Sequence, residues 1–126
     1  MISIEPQSFP DDRPRLLLIE DDDTVRRSLQ MLLQGQGFDV RSFASAAPAL
    51  RDTPESARVL VADYRLPDGD GLVVVRRLRE RGWAGRAILI TGHGSPALTE
   101  AAHAAGFDVI LDKPLRQHEL LSAIAS

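Results

Sequence analysis

Val59-Leu60-Val61-Ala62-Asp63-Tyr64-Arg65-Leu66-Pro67-Asp68-Gly69-Asp70-Gly71-Leu72 joins an apolar strand to an acidic loop punctuated by proline and glycine. The apolar run Val59 to Ala62, bounded by turn residues, predicts a strand buried on both faces, as strands of parallel sheets are. The Asp63 carboxylate then emerges at the C-terminal end of that strand, where open α/β sheets keep their sites. Pro67 stiffens the loop, Gly69 and Gly71 permit backbone angles closed to other residues, and Leu72 begins a helical pattern. Taken alone, an Asp at a strand end reads more readily as a helix cap or turn residue, so the meaning of Asp63 depends on the rest of the chain.

Upstream, Leu16 to Ile19 is another buried run and ends in Glu20-Asp21-Asp22-Asp23. Val25, Leu29, Leu32 and Leu33 follow at helical spacing, with Gly35 and Gly37 as terminators. Phe38, Val40 and Phe43 predict a second strand, and Ser45 an N-cap for a short helix that carries Pro48 in its first turn. Downstream, Leu72, Val75 and Leu78 form the inner face of a helix closed by Gly82. Arg76, Arg77, Arg79 and Arg81 lie on or near its outer side and read as a solvated charge run. Ala87 to Ile90 is a fourth strand ending at Thr91-Gly92. Ser95-Pro96 reads as cap and first-turn proline of a helix with Leu98, Ala101, Ala102 and Ala105, stopped by Gly106. Val109 to Leu111 is a fifth strand ending at Asp112-Lys113-Pro114, and Leu120, Leu121 and Ile124 line a last amphipathic helix.

Strand and helix thus alternate five times without repeats, which predicts a doubly wound α/β fold with a five-stranded parallel sheet, right-handed crossovers and five helices on both faces. Residues 1–14, with Pro6, Pro10 and Pro14 and no period, read as a flexible N-terminal tail before a domain over 15–126. At 126 residues with no cysteine, the chain suits one domain with a real core and neither disulfides nor a thiolate metal site. A net charge of −3 without a basic helix face argues against direct nucleic-acid binding. Met1 to Pro6 is unlike a signal peptide, and no apolar span suits a membrane helix, so the expected location is the cytoplasm.

In such a sheet every strand's C-terminal end opens on one edge, so Glu20, Asp21, Asp63, Thr91 and Lys113 are expected to converge. Carboxylates, a hydroxyl and an ammonium suit a phosphoryl group and a hard divalent cation. A nucleophilic Asp can carry a phosphoryl group as an acyl phosphate whose oxygens the other groups stabilise. Each residue alone has a plainer reading: Thr91 as a strand-end cap, Lys113 as a surface lysine. His93, His103 and His118 are scattered and read as surface or packing residues rather than metal ligands, and Trp83 as a partly buried loop residue.

With Glu20-Asp21, Asp63 followed by Leu66-Pro67-Asp68-Gly69-Asp70-Gly71, Thr91-Gly92 and Lys113-Pro114, the chain closely resembles the receiver domain of two-component response regulators over residues 15–126. The resemblance implies a flavodoxin-like strand order, 2-1-3-4-5. It implies Asp63 as phosphoacceptor, Thr91 as switch hydroxyl and Lys113 as phosphoryl partner. It also implies Mg²⁺, with Mn²⁺ as a substitute, at Glu20, Asp21, Asp63 and the backbone carbonyl of Arg65. Pro114 resembles the family's cis proline, which aims Lys113 inward. The expected partners are a histidine kinase or histidine phosphotransfer protein, then a downstream protein or covalently attached output domain, with phosphorylation-dependent homodimerisation as a further mode. The chain is then either a stand-alone regulator or the receiver of a longer one. The resemblance further implies a phosphoacceptor signalling domain that is not an enzyme, its chemistry limited to self-catalysed phosphotransfer from a donor and autodephosphorylation. Thr91, Leu98, Ile110, Pro114, Leu115 and Leu121 are the expected switch and partner face. Ile110 stands where family members often carry an aromatic residue, and Glu20 where Asp is also common.

Two rival readings compete. Leu16 to Val25 also fits a haloacid-dehalogenase-type phosphatase with Asp21 as nucleophile and Thr91-Gly92 as its second motif, but only Glu119 follows Lys113 where that family has an acidic pair. That reading also leaves the loop after Asp63 unexplained. A degenerate receiver that only binds partners is the other, and the complete set Asp21, Asp63, Thr91 and Lys113 argues against it.

Overall fold

A computed structural model describes residues 13–52 and 56–125. The tail expected over residues 1–14 falls almost wholly outside them; at its edge, the Pro14 carbonyl accepts from Asp39 N at 2.9 Å. The sheet strands are β1 (Arg15–Ile19), β2 (Asp39–Phe43), β3 (Ala57–Asp63), β4 (Arg86–Thr91) and β5 (Val109–Asp112). The helices are α1 (Asp23–Gly35), α2 (Ala46–Arg51), α3 (Gly71–Glu80), α4 (Pro96–Ala105) and α5 (Gln117–Ala125). All sheet pairings are parallel, in the order β2-β1-β3-β4-β5, the doubly wound arrangement predicted. Arg65–Leu66 and Gly69–Asp70 pair only with each other, as a small antiparallel hairpin between β3 and α3.

The alternating period of the strands sorts the core into two layers. Leu16, Leu18, Val59, Val61, Ile88 and Ile90 face α1 and α5, where Leu29, Leu33, Leu120 and Ala123 meet them. Leu17, Ile19, Leu60, Ala62, Ala87 and Leu89 face α2, α3 and α4, against Ala49, Val75, Leu78 and Ala102. The central strands β1, β3 and β4 are covered on both sides, which is why they read as continuous apolar runs.

Three local expectations need correction. Ser45 has the extended backbone of an N-cap, but its side chain makes no capping bond. Both Asp68 carboxylate oxygens accept from the start of α2 instead, from Ala46 N at 2.8 Å and Ala47 N at 2.9 Å. These two backbone donors hold the Asp68 carboxyl below the usual carboxylate range.

Arg79 is not part of a solvated charge run. Its guanidinium donates to the carbonyls of Gly106 (2.7 Å) and Gly85 (2.7 Å), reaches Asp108 Oδ2 at 3.3 Å and lies 4.6 Å from the centre of the Trp83 ring. It thereby serves helix-end and loop carbonyls that the α3–β4 and α4–β5 turns would otherwise leave unpaired. Trp83 is 4 % exposed, fully rather than partly buried, and donates Nε1–H to the Ala57 carbonyl at 2.8 Å. A buried indole needs such a partner.

Candidate functional site

Three strand ends are extended by one further ladder bond each. Glu20 N donates to the Phe43 carbonyl (3.0 Å), Tyr64 N to Ile90 (2.8 Å) and Lys113 N to Thr91 (2.8 Å). The backbone beside each expected site residue is therefore held in sheet geometry, and the side chains converge on one edge. Asp63 and Thr91 are 6 % and 1 % exposed, and Glu20 2 %. The Lys113 ammonium donates to Asp63 Oδ2 at 3.0 Å, and the Lys113–Pro114 peptide is cis. Glu20, Asp21 and Asp63 each offer a carboxylate oxygen, all within 4.8 Å of one another. Asp21, Asp63, Tyr64, Arg65, Thr91, Gly92, His93 and Lys113 line a cleft of about 340 Å³.

The electrostatics follow from this crowding. Burial pushes the Glu20 carboxyl up to about 7, and the negative charges of Asp63 and Asp21 push the same way, against the Asp22 N–H and Lys113. For Lys113, burial would lower the ammonium, but the hydrogen bond and charge of Asp63, with Glu20 and Asp21 behind it, leave it raised. Among the described residues, Lys113 is the cation that bonds a carboxylate of this set, a single ammonium against three carboxylates. An all-oxygen donor set with surplus negative charge and oxygens this close fits a small hard dication such as Mg²⁺ or Mn²⁺. Thr91 Oγ1 accepts from His93 N at 3.1 Å, which leaves the hydroxyl proton available to a further acceptor in the cleft.

The loop after Asp63 explains its own sequence. The Tyr64 carbonyl accepts from Gly71 N at 2.9 Å, closing the hairpin at its base. A Cβ at Gly71 would stand 2.8 Å from the Asp63 carbonyl oxygen, so α3 starts this close to the acceptor only because residue 71 is glycine. Asp70 caps α3 through Val73 N at 3.0 Å.

Of the expected partner-face residues, Leu98 and Ile110 pack against the α2–α3–α4 layer, while Leu115 and Leu121 pack against the α1–α5 layer. All four are partly buried, and Pro114 is exposed between the two sets. His93, His103 and His118 are exposed, as expected of surface residues. Sequence reasoning missed Arg26, whose guanidinium donates to the Glu20 carbonyl (2.8 Å) and pairs with Asp23 (2.6 Å). It also missed an apolar groove of about 390 Å³ beside the site, where Val25, Leu29 and Leu32 of α1 face Leu115 and Leu120. The signal in the sequence is Val25 itself, an apolar residue beside the acidic cap, where a helix-period position need not face the core; the structure leaves it 39 % exposed.

Comparison with known proteins agrees with this geometry. Residues 16–125 match the family model of the response regulator receiver domain. The response regulator protein TodT of Pseudomonas putida is 37 % identical over 110 residues, covering 86 % of this chain and 48 % of TodT. Nodulation protein W of Bradyrhizobium diazoefficiens is 38 % identical over 112 residues, covering 88 % of this chain and 49 % of that protein. The chain thus spans about half the length of these curated relatives. The crystal structure of FixJ-N superposes with a TM-score of 0.78 at 32 % identity, covering 93 % of each chain. The family removes the phosphatase reading, in which Leu16 to Val25 carried the nucleophile and Thr91-Gly92 the second motif. With sheet order, converging strand ends and family model in agreement, the chain belongs to the receiver domains of response regulators, the phosphorylation-controlled switches of two-component signalling.

Proposed function

We propose that Asp63 is the phosphoacceptor of this switch and takes its phosphoryl group from a phosphohistidine of a histidine kinase or phosphotransfer protein. The observation that carries this is the buried Asp63 carboxylate, which alone among the three clustered carboxylates bonds the Lys113 ammonium, at 3.0 Å. An Asp63 oxygen attacks phosphorus, the P–N bond to the donor imidazole breaks, and an acyl phosphate forms. Water later cleaves it and restores the carboxylate. Lys113 neutralises charge on the phosphoryl oxygens, and the Thr91 hydroxyl donates to one of them. Glu20, Asp21, Asp63 and the Arg65 carbonyl would hold Mg²⁺, which when bound supplies the remaining charge neutralisation.

Moving the Thr91 hydroxyl toward the phosphoryl group breaks its bond from His93 N, and the exposed Gly92-His93-Gly94 segment transmits the change to α4. Leu98, Ile110, Pro114, Leu115 and Leu121 then present the altered face to a downstream protein, an attached output domain or a second copy. Ile110 has no ring to swing, so the change is a shift of helix position.

Intact mass after treatment with acetyl phosphate and Mg²⁺ tests the acceptor. The wild type gains one phosphoryl group and Asp63→Asn gains none; an unchanged gain in Asp63→Asn, lost instead in Asp21→Asn, would overturn the assignment. Amide shifts with and without beryllofluoride test the switch. Shifts extend through residues 92–121, and a response confined to the loops after Ile19 and Asp63 would remove that face from the mechanism.

A further inference from the structure

We infer that Asp68 is a positioning residue for the acceptor loop, bracing the hairpin that carries the Arg65 carbonyl against α2. The inference rests on the reading of Asp63 and its cation site given above. The hairpin is closed at its base by Gly71 N and the Tyr64 carbonyl, and along its length by the Arg65–Asp70 and Leu66–Gly69 pairs. Leu66, 8 % exposed, anchors one side in the core. Its tip, Pro67 to Gly69, is exposed, and among the described residues none of the three belongs to either core cluster. A two-rung hairpin fixed only at its base is free to rock about it, and two rungs alone are marginal.

The Asp68 side chain removes that freedom. Its two oxygens take the Ala46 and Ala47 amides, 22 and 21 residues away, in a two-point, charge-assisted contact that fixes orientation as well as distance. The receiving helix is a firm support: Ala46 and Ala49 are buried against the α3 layer, and Arg81 donates to the Leu50 carbonyl at 2.7 Å. Ser45, the local candidate, leaves these amides to the loop. Base, side and tip are then each tied to a different part of the fold, and Arg65 lies between the base and the tip.

A plain cap would serve α2 and leave the site indifferent, so the test separates the two roles. Asp68→Ala removes the brace, and Ser45→Asp in the same chain returns a capping carboxylate to α2 without touching the hairpin. Mg²⁺ affinity is read by calorimetry on the full chain, with thermal melting alongside. Asp68→Ala lowers the melting temperature and weakens Mg²⁺ binding by roughly 10-fold, as loss of a ligand-orienting contact does. The Ser45→Asp/Asp68→Ala variant regains the melting temperature but not the affinity. Affinity that returns together with stability, or that never fell, overturns the inference while leaving the Asp63 site intact. Absence of Mg²⁺ binding by the wild type would instead overturn the site reading, and the brace with it. If Asp68→Ala does not fold, Asp68→Asn keeps the shape and one acceptor, and the same separation is read at smaller amplitude.

Discussion

The loop that leaves Asp63 and the loop that leaves Thr91 start on neighbouring strands of one sheet, yet they are held in opposite ways. The first is closed by the Gly71–Tyr64 bond, pinned by buried Leu66, tied to α2 by Asp68 and capped into α3 by Asp70. The second has exposed Gly92, His93 and Gly94, one bond from His93 N to the Thr91 hydroxyl, and then Ser95, which caps α4 by accepting from Leu98 N at 3.0 Å. Under the proposed function, rigidity lies where ligand oxygens would stay in register, and softness where the Thr91 hydroxyl would travel. Neighbouring ends of one sheet can therefore divide the two tasks of a switch.

Adding one methyl group to each loop is the hardest way to break this contrast. Gly71→Ala puts a Cβ 2.8 Å from the Asp63 carbonyl oxygen and 2.9 Å from Leu89 Cδ1, and should cost about 2–3 kcal/mol in denaturant midpoints. Gly92→Ala meets nothing nearer than Lys113 Cδ at 3.8 Å and should stay within about 0.5 kcal/mol of wild type. Equal costs would mean that the two loops are held alike.

The fixed loop also carries an electrostatic cost, because it holds Asp63 among like charges. Glu20, raised from 4.5 to about 7 by burial and then by those charges, keeps a proton in the native state that the unfolded chain has released. Metal-free stability should thus be greatest below about 4.5 as far as Glu20 is concerned, and fall as pH rises toward 7, by up to about 3 kcal/mol. Saturating Mg²⁺ should flatten the slope, since the cation offsets the repulsion. Melting curves across pH, with Mg²⁺ and with EDTA at matched ionic strength, read this directly, and parallel slopes would remove Glu20 as their source.

The smallest effects concern the helix starts beyond the two loops. Ser95→Ala should cost about 1 kcal/mol, because its hydroxyl caps α4. Ser45→Ala should cost close to nothing, because α2 takes its cap from the loop after Asp63. A comparable loss in both would mean that Asp68 does not serve α2 in solution.

What sequence could disclose follows from how local each cause is. Buried strands, the Ser95-Pro96 helix start, and the acidic and lysine strand ends were legible because each is written within a few consecutive residues. The parallel order then brought Glu20, Asp63, Thr91 and Lys113 together, since a doubly wound sheet has only one edge for strand ends to share. Asp68 and Arg79 were not legible. Asp68 competes with Ser45 for the same amides from 22 residues away, and local spacing favours the serine. Arg79 looks like Arg76 and Arg77 until the fold sets the Trp83 ring and the Gly106 carbonyl beside it. Trp83 was misjudged for the same reason, because its partner is the start of β3.

The added ladder bonds beside Glu20, Asp63 and Lys113 also bear on which changes of chain length this protein can absorb. A strand alternates faces at every residue, so deleting or inserting one residue within β1, β3 or β5 turns the terminal side chain to the other layer while the backbone still pairs. Such a chain could keep its fold and every residue of its site, yet lose the site. The segments beyond the opposite edge, before β2 and before β4, carry no such parity. The strands of this sheet act as counted lengths, and their residue numbers are as much a part of the specification as the residues at their ends.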